Sequence, residues 1–242
     1  MSEIFGIHAV AAALESTPER IRVLHVQKGR DTRKQALVDQ ARAASVRVEF
    51  VDRAWLDRRV AGTHQGVLAV VQARGFASEK DLEARWAQLG QPRLILVLDG
   101  VLDPRNLGAC LRSAGAAGVD AVLLPKRNSA PLNAAALKTA AGVAEGLFIV
   151  AVANLARRLK WLQDQGAWVV GAAGEVELPF FQADLKSDTV LVLGGEEKGL
   201  RRLTREHCDT LVQIPMADGV ESLNVSVATG ILLFEAVRQR SP

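Results

Sequence analysis

The fold is decided by residues 94–119, which read LILVLDGVLDPRNLGACLRSAGAAGV. The first seven residues form an apolar run that ends in Asp and Gly, a pattern typical of a buried strand. A loop containing Asp103 and Pro104 follows, and Asn106 stands at the expected N-cap of a helix rich in small residues. The stretch therefore predicts a strand, a loop and a helix, which is the repeating unit of an α/β protein.

Four further apolar runs of this kind follow, at residues 121–125, 168–173, 189–195 and 211–215. Because none of them alternates with polar residues, we expect strands that are buried on both faces, with helices above and below a mostly parallel sheet. Ligands of such sheets bind beyond the carboxyl ends of the strands. The functional residues are therefore predicted to lie in the loops after Leu98, Ala173, Leu193 and Ile214.

The first third of the chain carries a smaller α/β pattern. Apolar runs that predict strands occupy residues 21–26, 46–51 and 66–71, and helical patterns lie around residues 8–14 and 34–44. Residues 75–92 have a charged face and few β-branched residues, which is typical of a linker with one short helix. We therefore predict a small α/β domain over 1–74, a linker over 75–92 and a second α/β domain over 93–242.

Composition restricts the class of protein. The chain has 242 residues, of which 49% are hydrophobic and 24% charged, as in globular proteins. Its two cysteines, Cys110 and Cys208, cannot form a disulfide scaffold, and no Cys or His cluster predicts a metal site. The sequence shows neither a secretory signal nor an apolar stretch of about 18 residues, so we expect a cytoplasmic protein without a membrane partner.

Positive charge is concentrated in the first third. Up to Arg74 there are 12 Lys and Arg against 8 Asp and Glu, whereas the net charge of the whole chain is only +3. This excess favours attraction of a polyanion such as a nucleic acid. Ordinary solvated surfaces also carry a surplus of this size, so both interpretations stay open.

Two of the loops contain candidate site residues that also have plain structural explanations. Asn106 and Arg112 are candidates for ligand contact, or else a helix cap and a solvated helix residue. In LGGEEKGL, residues 193–200, the pair Gly194 and Gly195 either lets the backbone approach a ligand or makes a tight turn. Glu196 stands where a dinucleotide-binding fingerprint needs glycine, which argues against such a site.

In the third loop, polar residues interrupt an apolar helix. The helix follows Ser222, and apolar residues recur along it at helical spacing: Leu223, Val227, Ile231 and Phe234. Asn224 and Ser226 fall in its first turn, and buried polar groups need partners. Because a cap accounts for Ser222 but not for this pair, we predict a bound polar ligand at the start of the helix.

Taken together, three motifs in this order resemble those of the SpoU (TrmH-like) branch of the SPOUT RNA methyltransferases. They are NLGACLR at 106–112, GGEEKG at 194–199, and IPM with SLNVSVA between 214 and 228. GIHAV from Gly6 and THQGVLA from Thr63 are similar to the L30e-like substrate-binding domain that precedes the catalytic domain in one subfamily. The stretches ANLAR (153–157) and RRLTREHCD (201–209) are most similar to members that methylate a guanosine ribose in the peptidyl-tRNA-binding loop of 23S rRNA.

The resemblance, which covers nearly the whole chain, implies a SPOUT domain with a C-terminal trefoil knot, S-adenosyl-L-methionine as cofactor, and a homodimer whose active site is completed across the interface. The residues it implies for cofactor binding are Gly174, Gly194, Gly195, Gly199, Ile214, Met216, Leu223 and Ser226. The catalytic residues it implies are Asn106, Arg112, Glu196, Ser222 and Asn224. It implies no metal.

The resemblance also implies that residues 1–74 bind the 23S rRNA substrate. The candidate contacts are Arg22, Lys28, Arg30, Arg33 and Lys34. Three further polar residues are candidate readers of the RNA: His8, His64 and Gln65.

The implied chemistry is methyl transfer to a ribose 2′-oxygen, which must be aligned with the methyl group and lose its proton. Family proposals often make the arginine a general base. A guanidinium is not deprotonated in proteins, so we expect Arg112 to hold a phosphate and stabilise developing negative charge. Glu196 would orient partners or take the proton through water.

The sequence is also compatible with other functions. A tRNA ribose 2′-O-methyltransferase of the same branch and a non-catalytic RNA-binding assembly factor on the same scaffold both fit the pattern. A nicotinamide-dependent oxidoreductase predicts a GxGxxG motif after an early strand, and the sequence has none there.

Overall fold

A computed structural model of the chain describes residues 2–29, 31–60, 62–72, 76–196 and 198–241. The chain divides into two compact units, Met1–Gly75 and Phe76–Pro242. The second unit therefore begins well before residue 93, and most of the segment expected as a linker belongs to it.

The first unit is a four-stranded sheet with helices. Its elements, in chain order, are β1 (Ser2–Phe5), α1 (Ile7–Ser16), β2 (Ile21–Gln27), α2 (Thr32–Ala43), β3 (Val48–Val51), α3 (Arg53–Arg59) and β4 (Val67–Val71). The strand order is β1-β4-β2-β3, in which only β2 and β3 pair in parallel. The three predicted strands are present. The strand β1 is not predicted from the sequence, because SEIF holds only two apolar residues.

The second unit is a six-stranded sheet with helices. Its elements are α4 (Glu79–Trp86), β5 (Leu94–Asp99), α5 (Pro104–Ala116), β6 (Ala121–Pro125), α6 (Ala134–Thr139), β7 (Ile149–Val152), α7 (Leu155–Asp164), β8 (Trp168–Ala172), β9 (Thr189–Gly194), α8 (Arg202–Glu206), β10 (Thr210–Val212) and α9 (Val225–Arg240). The strand order is β10-β8-β9-β5-β6-β7, and each neighbouring pair is parallel. The predicted fold class is confirmed. The four-residue β7 is missed because so short an apolar run cannot be told from a buried helix segment.

Both faces of this sheet are buried, as the continuous apolar strands predict. One face packs against α5 and α9, and the other against α4 and α7. Leu82 and Trp86 of α4 lie in the core, with 0% and 6% of their surface exposed. This burial is the physical reason why the helix expected in a linker is instead part of the second unit.

The last helix is fixed at its end by one side chain. The Arg240 guanidinium donates hydrogen bonds to the carbonyl oxygens of Leu185 (2.8 Å), Pro92 (3.1 Å), Arg93 (3.0 Å) and Ser187 (2.6 Å). Since these carbonyls precede β5 and β9, Arg240 ties α9 to the amino edge of the sheet. The opposite end of α9 then lies at the carboxyl edge.

The strand order does not show whether the chain is knotted, so the trefoil knot stays a prediction. No helix in the described ranges is long and apolar enough to cross a membrane. Among the same residues, no group of three or more His, Cys, Asp or Glu side chains is arranged to hold a metal ion.

Candidate active site

The helix α5 begins at a different cap from the one predicted. The Asp103 side chain accepts hydrogen bonds from the backbone N–H groups of Arg105 (2.5 Å) and Asn106 (3.2 Å), with Pro104 as the first helical residue. An aspartate at this position satisfies donors that the helix itself cannot. The prediction that Asn106 caps the helix is therefore wrong, and its side chain is free for other contacts.

Asn106 instead joins the three motifs. Its Nδ2 donates to Oε1 of Glu196 at 2.6 Å, and its Oδ1 accepts from Nδ2 of Asn224 at 3.1 Å. Asn224 Oδ1 in turn accepts from the hydroxyl and the backbone N–H of Ser226, at 2.7 and 2.9 Å. Four residues from the segments that follow β5, β9 and β10 thus form one hydrogen-bonded chain, which we call the polar cluster: Asn106, Glu196, Asn224 and Ser226.

The loop that carries Glu196 is built by close backbone approaches. A Cβ at Gly195 would overlap the carbonyl group of Gly100, and one at Gly194 would overlap the backbone of Gly199. Gly199 has a left-handed φ of 59°, which glycine adopts without strain. These glycines therefore let the chain pass close to itself. The absence of side chains at Gly194 and Gly195 therefore makes room for neighbouring backbone, and not for the ligand expected there.

Asp99, at the end of β5, fixes both ends of this loop. Its carbonyl accepts from the N–H of Gly195 (2.9 Å), and its carboxylate accepts from Nε (2.6 Å) and the backbone N–H (3.1 Å) of Arg201. Asp99 is 1% exposed, so its charge is paired where water cannot reach it. This role of Asp99 is not predicted from the sequence. The signal is an ionisable residue that ends an otherwise apolar strand.

The third motif also differs from the prediction in its cap. Asn224, not Ser222, caps α9, since its side chain accepts from the N–H of Ser226. Ser222 is exposed and makes no side-chain hydrogen bond with any described residue. The helix also turns a different face to the core, because Val227 and Phe234 are each 50% exposed while Leu232 and Leu233 are buried.

The residues expected to hold the cofactor line the carboxyl edge. Ile214, Met216 and Leu223 are half-buried, and in the described part of the chain their backbone N–H and C=O groups have no hydrogen-bond partner. Buried backbone groups are normally paired. Gly174, beyond β8, is exposed, and a Cβ there would meet only the carbonyl of Glu221, at 3.9 Å. This edge therefore offers unused backbone donors and acceptors to a ligand.

Arg112 is not part of the polar cluster. It lies six residues after Asn106 in α5, so the two side chains point about 120° apart around the helix. Arg112 is exposed, and no described residue forms an ion pair or hydrogen bond with its guanidinium. Within one chain, the structure brings Asn106, Glu196 and Asn224 together and leaves Arg112 apart.

The basic residues predicted to bind RNA are mostly engaged within the first unit. Arg22 donates to Gln72 (2.9 Å), and Lys28 and Lys34 form ion pairs with Asp52 (3.3 Å) and Asp31 (3.8 Å). Arg33 is exposed, and its side chain forms no hydrogen bond or short ion pair with a described residue. The hydrogen bond from the N–H of Lys34 lowers the pKa of Asp31, and the charge of Arg33 helps to lower it. Arg30 lies outside the described residues.

The candidate polar readers also differ from one another. His8 is exposed. His64 is 7% exposed and bonded through Nε2 to Asp57 (2.8 Å) and through Nδ1 to the N–H of Gly66 (2.9 Å). Gln65 accepts from the N–H of Ile7 (2.9 Å) at the start of α1. These contacts give His64 and Gln65 a structural role.

The two thiols are poor candidates for chemistry. Burial raises the pKa of Cys110 to about 11, against the opposing effect of its contact with Thr229 Oγ1 at 3.4 Å. Burial also raises the pKa of Cys208 to about 12. Because only the thiolate is nucleophilic, both residues are inert at neutral pH.

Comparisons with known proteins agree with this architecture. The model of the SpoU rRNA methylase family matches residues 93–234, and the model for RNA 2′-O ribose methyltransferase substrate binding matches residues 4–77. Both describe RNA methyltransferases, which is the class of protein that the fold and the three motifs define. The chain belongs to the SpoU rRNA methylase family, and the predicted family is confirmed.

Individual relatives are similar over the full length. The 23S rRNA (guanosine-2′-O-)-methyltransferase RlmB of Escherichia coli K12 is 52% identical, with all of both chains covered. An AdoMet-bound rRNA methyltransferase from Sinorhizobium meliloti has a TM-score of 0.82 and 25% identity, covering 100% of this chain and 88% of the other. The SpoU methyltransferase AviRb from Streptomyces viridochromogenes, at 23% identity and TM-score 0.82 over 98% and 90% of the chains, shares the fold.

Proposed function

We propose that this protein transfers a methyl group from S-adenosyl-L-methionine to the 2′-oxygen of a guanosine ribose in 23S rRNA. The observation that carries the proposal is the 52% identity, over the whole length of both chains, to a 23S rRNA guanosine-2′-O-methyltransferase. The polar cluster at the carboxyl edge of the sheet gives this activity a site, because ligands of parallel α/β sheets bind there.

The carboxyl edge fits the cofactor. S-adenosyl-L-methionine supplies an activated methyl group on a sulfonium. Its adenine and ribose are rich in hydrogen-bonding groups, and the unpaired backbone groups of Ile214, Met216 and Leu223 would hold them. The remaining residues assigned to the cofactor follow β8, end or follow β9, or begin α9: Gly174, Gly194, Gly195, Gly199 and Ser226. No metal takes part in this assignment.

The polar cluster orients the catalytic groups. Asn106 donates to Glu196 and accepts from Asn224, so its amide fixes the carboxylate of Glu196 relative to the start of α9. A carboxylate held in this way accepts the proton of the 2′-hydroxyl, directly or through one water molecule. Ser222 is exposed two residues before the cap of α9, and its hydroxyl would contact the substrate.

Arg112 acts on the substrate from a second copy of the chain. Its guanidinium stays charged, so it holds a phosphate and stabilises negative charge on the oxygen. The half-exposed Val227 and Phe234 lie seven residues apart and so form an apolar stripe along one face of α9, the helix that packs against α5. We propose that α5 and α9 of two copies pack through this stripe into a homodimer. The contact would carry Arg112 of one protomer to the polar cluster of the other.

The first unit supplies target choice. It matches the substrate-binding model, and Arg33 presents on its surface a guanidinium that no hydrogen bond or short ion pair holds. Arg22, Lys28 and Lys34 make weaker candidates because each has a partner, and Arg30 completes the set. Since the proposed substrate is ribosomal RNA, we place the activity in the cytoplasm.

The direct test uses purified protein, S-adenosyl-L-methionine with a labelled methyl group, and transcribed 23S rRNA, with transcribed tRNA as the competing substrate. We expect label in 23S rRNA, resistant to alkaline cleavage at one guanosine. Asn106→Ala should reduce the rate by about 100-fold, because it removes the group that holds Glu196.

The matched control is Asn154→Ala, which removes a helix cap of α7 worth about 1 kcal/mol and should leave the rate near that of the wild type. Label in tRNA alone would establish the tRNA alternative. Absence of label from both RNAs, with the cofactor bound, would establish a non-catalytic RNA-binding protein.

A further inference from the structure

Positive charge is concentrated at one part of the second unit. Residues 100–141 contain five basic and two acidic residues, a net charge of +3, which equals that of the whole chain. Both acidic side chains accept backbone hydrogen bonds, Asp103 from Asn106 and Asp120 from Leu94. The basic side chains therefore dominate this segment: Arg105, Arg112, Lys126, Arg127 and Lys138.

Two of these cations lie on a loop that is fixed beside the polar cluster. Strand β6 pairs with β5, so the loop after Pro125 leaves the same edge of the sheet as the loop that leads to Asn106. The N–H of Ala130 donates to the carbonyl of Val101 at 2.7 Å, and the N–H of Lys126 donates to the carbonyl of Val152 at 2.9 Å. These bonds hold residues 126–130 at both ends, and Asn128, with φ of 56°, makes the turn between them.

The side chains of Lys126 and Arg127 are available to a ligand. Both are exposed, and no described residue forms an ion pair with either. Lys34 in the first unit differs, because its side chain is only 12% exposed and is paired with Asp31. Adjacent unpaired cations on a fixed backbone bind anions without first giving up an internal partner.

The geometry points to a phosphate-binding site. We propose that Lys126 and Arg127 bind backbone phosphates of the RNA next to the methylated nucleotide, so that the second unit itself contributes to substrate binding. The proposal rests on the proposed function for the identity of the RNA. Phosphate contacts fix the register of a protein on a nucleic acid without reading its sequence, which is what a site acting on a ribose requires.

The test compares two double variants in which equal charge is removed. Lys126→Ala/Arg127→Ala removes the proposed site. Lys160→Ala/Lys186→Ala removes two exposed lysines of the same unit, one on the surface of α7 and one in the loop before β9, at the opposite edge of the sheet. Affinity for transcribed 23S rRNA is measured over a range of KCl concentrations, and cofactor affinity and thermal unfolding are measured in parallel.

We expect the first variant to bind RNA about tenfold more weakly, the loss typical of hydrogen bonds to charged groups. The slope of log affinity against log salt should become shallower by about 1.4, since each single-strand phosphate contact contributes about 0.7. The control should bind as the wild type does. The exchange Lys126→Arg/Arg127→Lys, which keeps both charges, should retain most of the affinity and the slope.

The other possible results distinguish the phosphate site from the proposed function. An unchanged affinity and slope in the first variant, with methyl transfer intact in the wild type, would overturn the phosphate site and leave the proposed function standing. An equal loss in both double variants would also overturn it, since the effect would then be one of net charge. A selective loss of RNA affinity, with no methyl transfer by the wild type, would support the phosphate site and overturn the proposed function.

Discussion

Glu196 and Asn224 lie 90 and 118 residues after Asn106 in the sequence, yet both are hydrogen-bonded to it. The basic residues of the first unit behave differently, since Lys34 is paired with Asp31, three residues before it, and Lys28 with Asp52. Both sets are candidate site residues from the sequence. The residues of the polar cluster meet at the carboxyl edge of the sheet, whereas most of the basic residues of the first unit are paired with neighbouring side chains.

The difference has a topological cause. In a parallel sheet, the loops that follow the strands all leave at one edge, so polar residues in those loops meet whatever their separation in sequence. Nothing of this kind brings surface cations together. Whether a lysine forms an ion pair depends on which carboxylates lie near it in the fold. The number of charges in the sequence therefore does not predict the pairing.

The largest effect is expected from Arg112, which stands outside the polar cluster within one chain. Arg112→Ala should lower methyl transfer by at least about 100-fold, as the loss of a group that stabilises transition-state charge does. Arg112→Lys should recover little, because a point charge does not replace the planar guanidinium. Single-turnover rates measure the effect, and calorimetry should find cofactor affinity unchanged.

A mixed dimer sharpens this prediction. Combining the Arg112→Ala chain with the Asn106→Ala chain should restore part of the activity, because one of the two sites then has both residues. No restoration, with mixed dimers present, would contradict the placement of Arg112 across an interface.

Asp99 should be the residue on which the Glu196 loop depends. Asp99→Asn should lower the free energy of unfolding by about 1–2 kcal/mol, because it weakens the charge-assisted hydrogen bonds to Arg201, whose side chain is 44% exposed and becomes hydrated once its charge partner is gone. Urea unfolding checks this value. Arg202→Ala is the matched control, since its pair with Glu206 is exposed and should contribute less than about 1 kcal/mol. Equal losses in the two variants would contradict the role of Asp99.

A smaller effect separates two neighbours in the first unit. Arg33→Ala should weaken 23S rRNA binding by about threefold to tenfold, because the side chain is exposed and no hydrogen bond or short ion pair holds it. Lys34→Ala should leave RNA affinity nearly unchanged, since its side chain is 12% exposed and held by Asp31. Filter binding at fixed salt distinguishes the two variants. The reverse order of effects would mean that pairing within the unit does not decide which cations meet RNA.

The smallest effect concerns the thiols. A pKa raised to about 11 for Cys110 and about 12 for Cys208 means that both stay protonated until the pH approaches those values. Iodoacetamide at pH 8 should therefore leave the native protein unmodified and alkylate both cysteines in urea, as mass spectrometry would report. Rapid native alkylation of Cys110 would contradict the close packing of α5 against α9.

The sequence predicts the parallel sheet and the meeting of Asn106, Glu196 and Asn224, since strand burial and strand ends are visible as apolar runs and loop motifs. It does not predict which side chain caps each helix, because Asp103 and Asn106 are both good caps and only the backbone path selects one. It also does not predict the hydrogen bonds between Asp99 and Arg201, because the two residues are 102 positions apart in the sequence. The face of α9 is misjudged because Val227 and Phe234 are apolar but half-exposed.

The proposed activity can be examined in cells by mapping 2′-O-methyl groups on 23S rRNA with and without this protein. We expect a methyl group on one guanosine ribose to disappear when the protein is absent. It should return when the wild-type chain is supplied, but not when the Asn106→Ala chain is supplied. An unchanged map in cells lacking the protein would contradict the account.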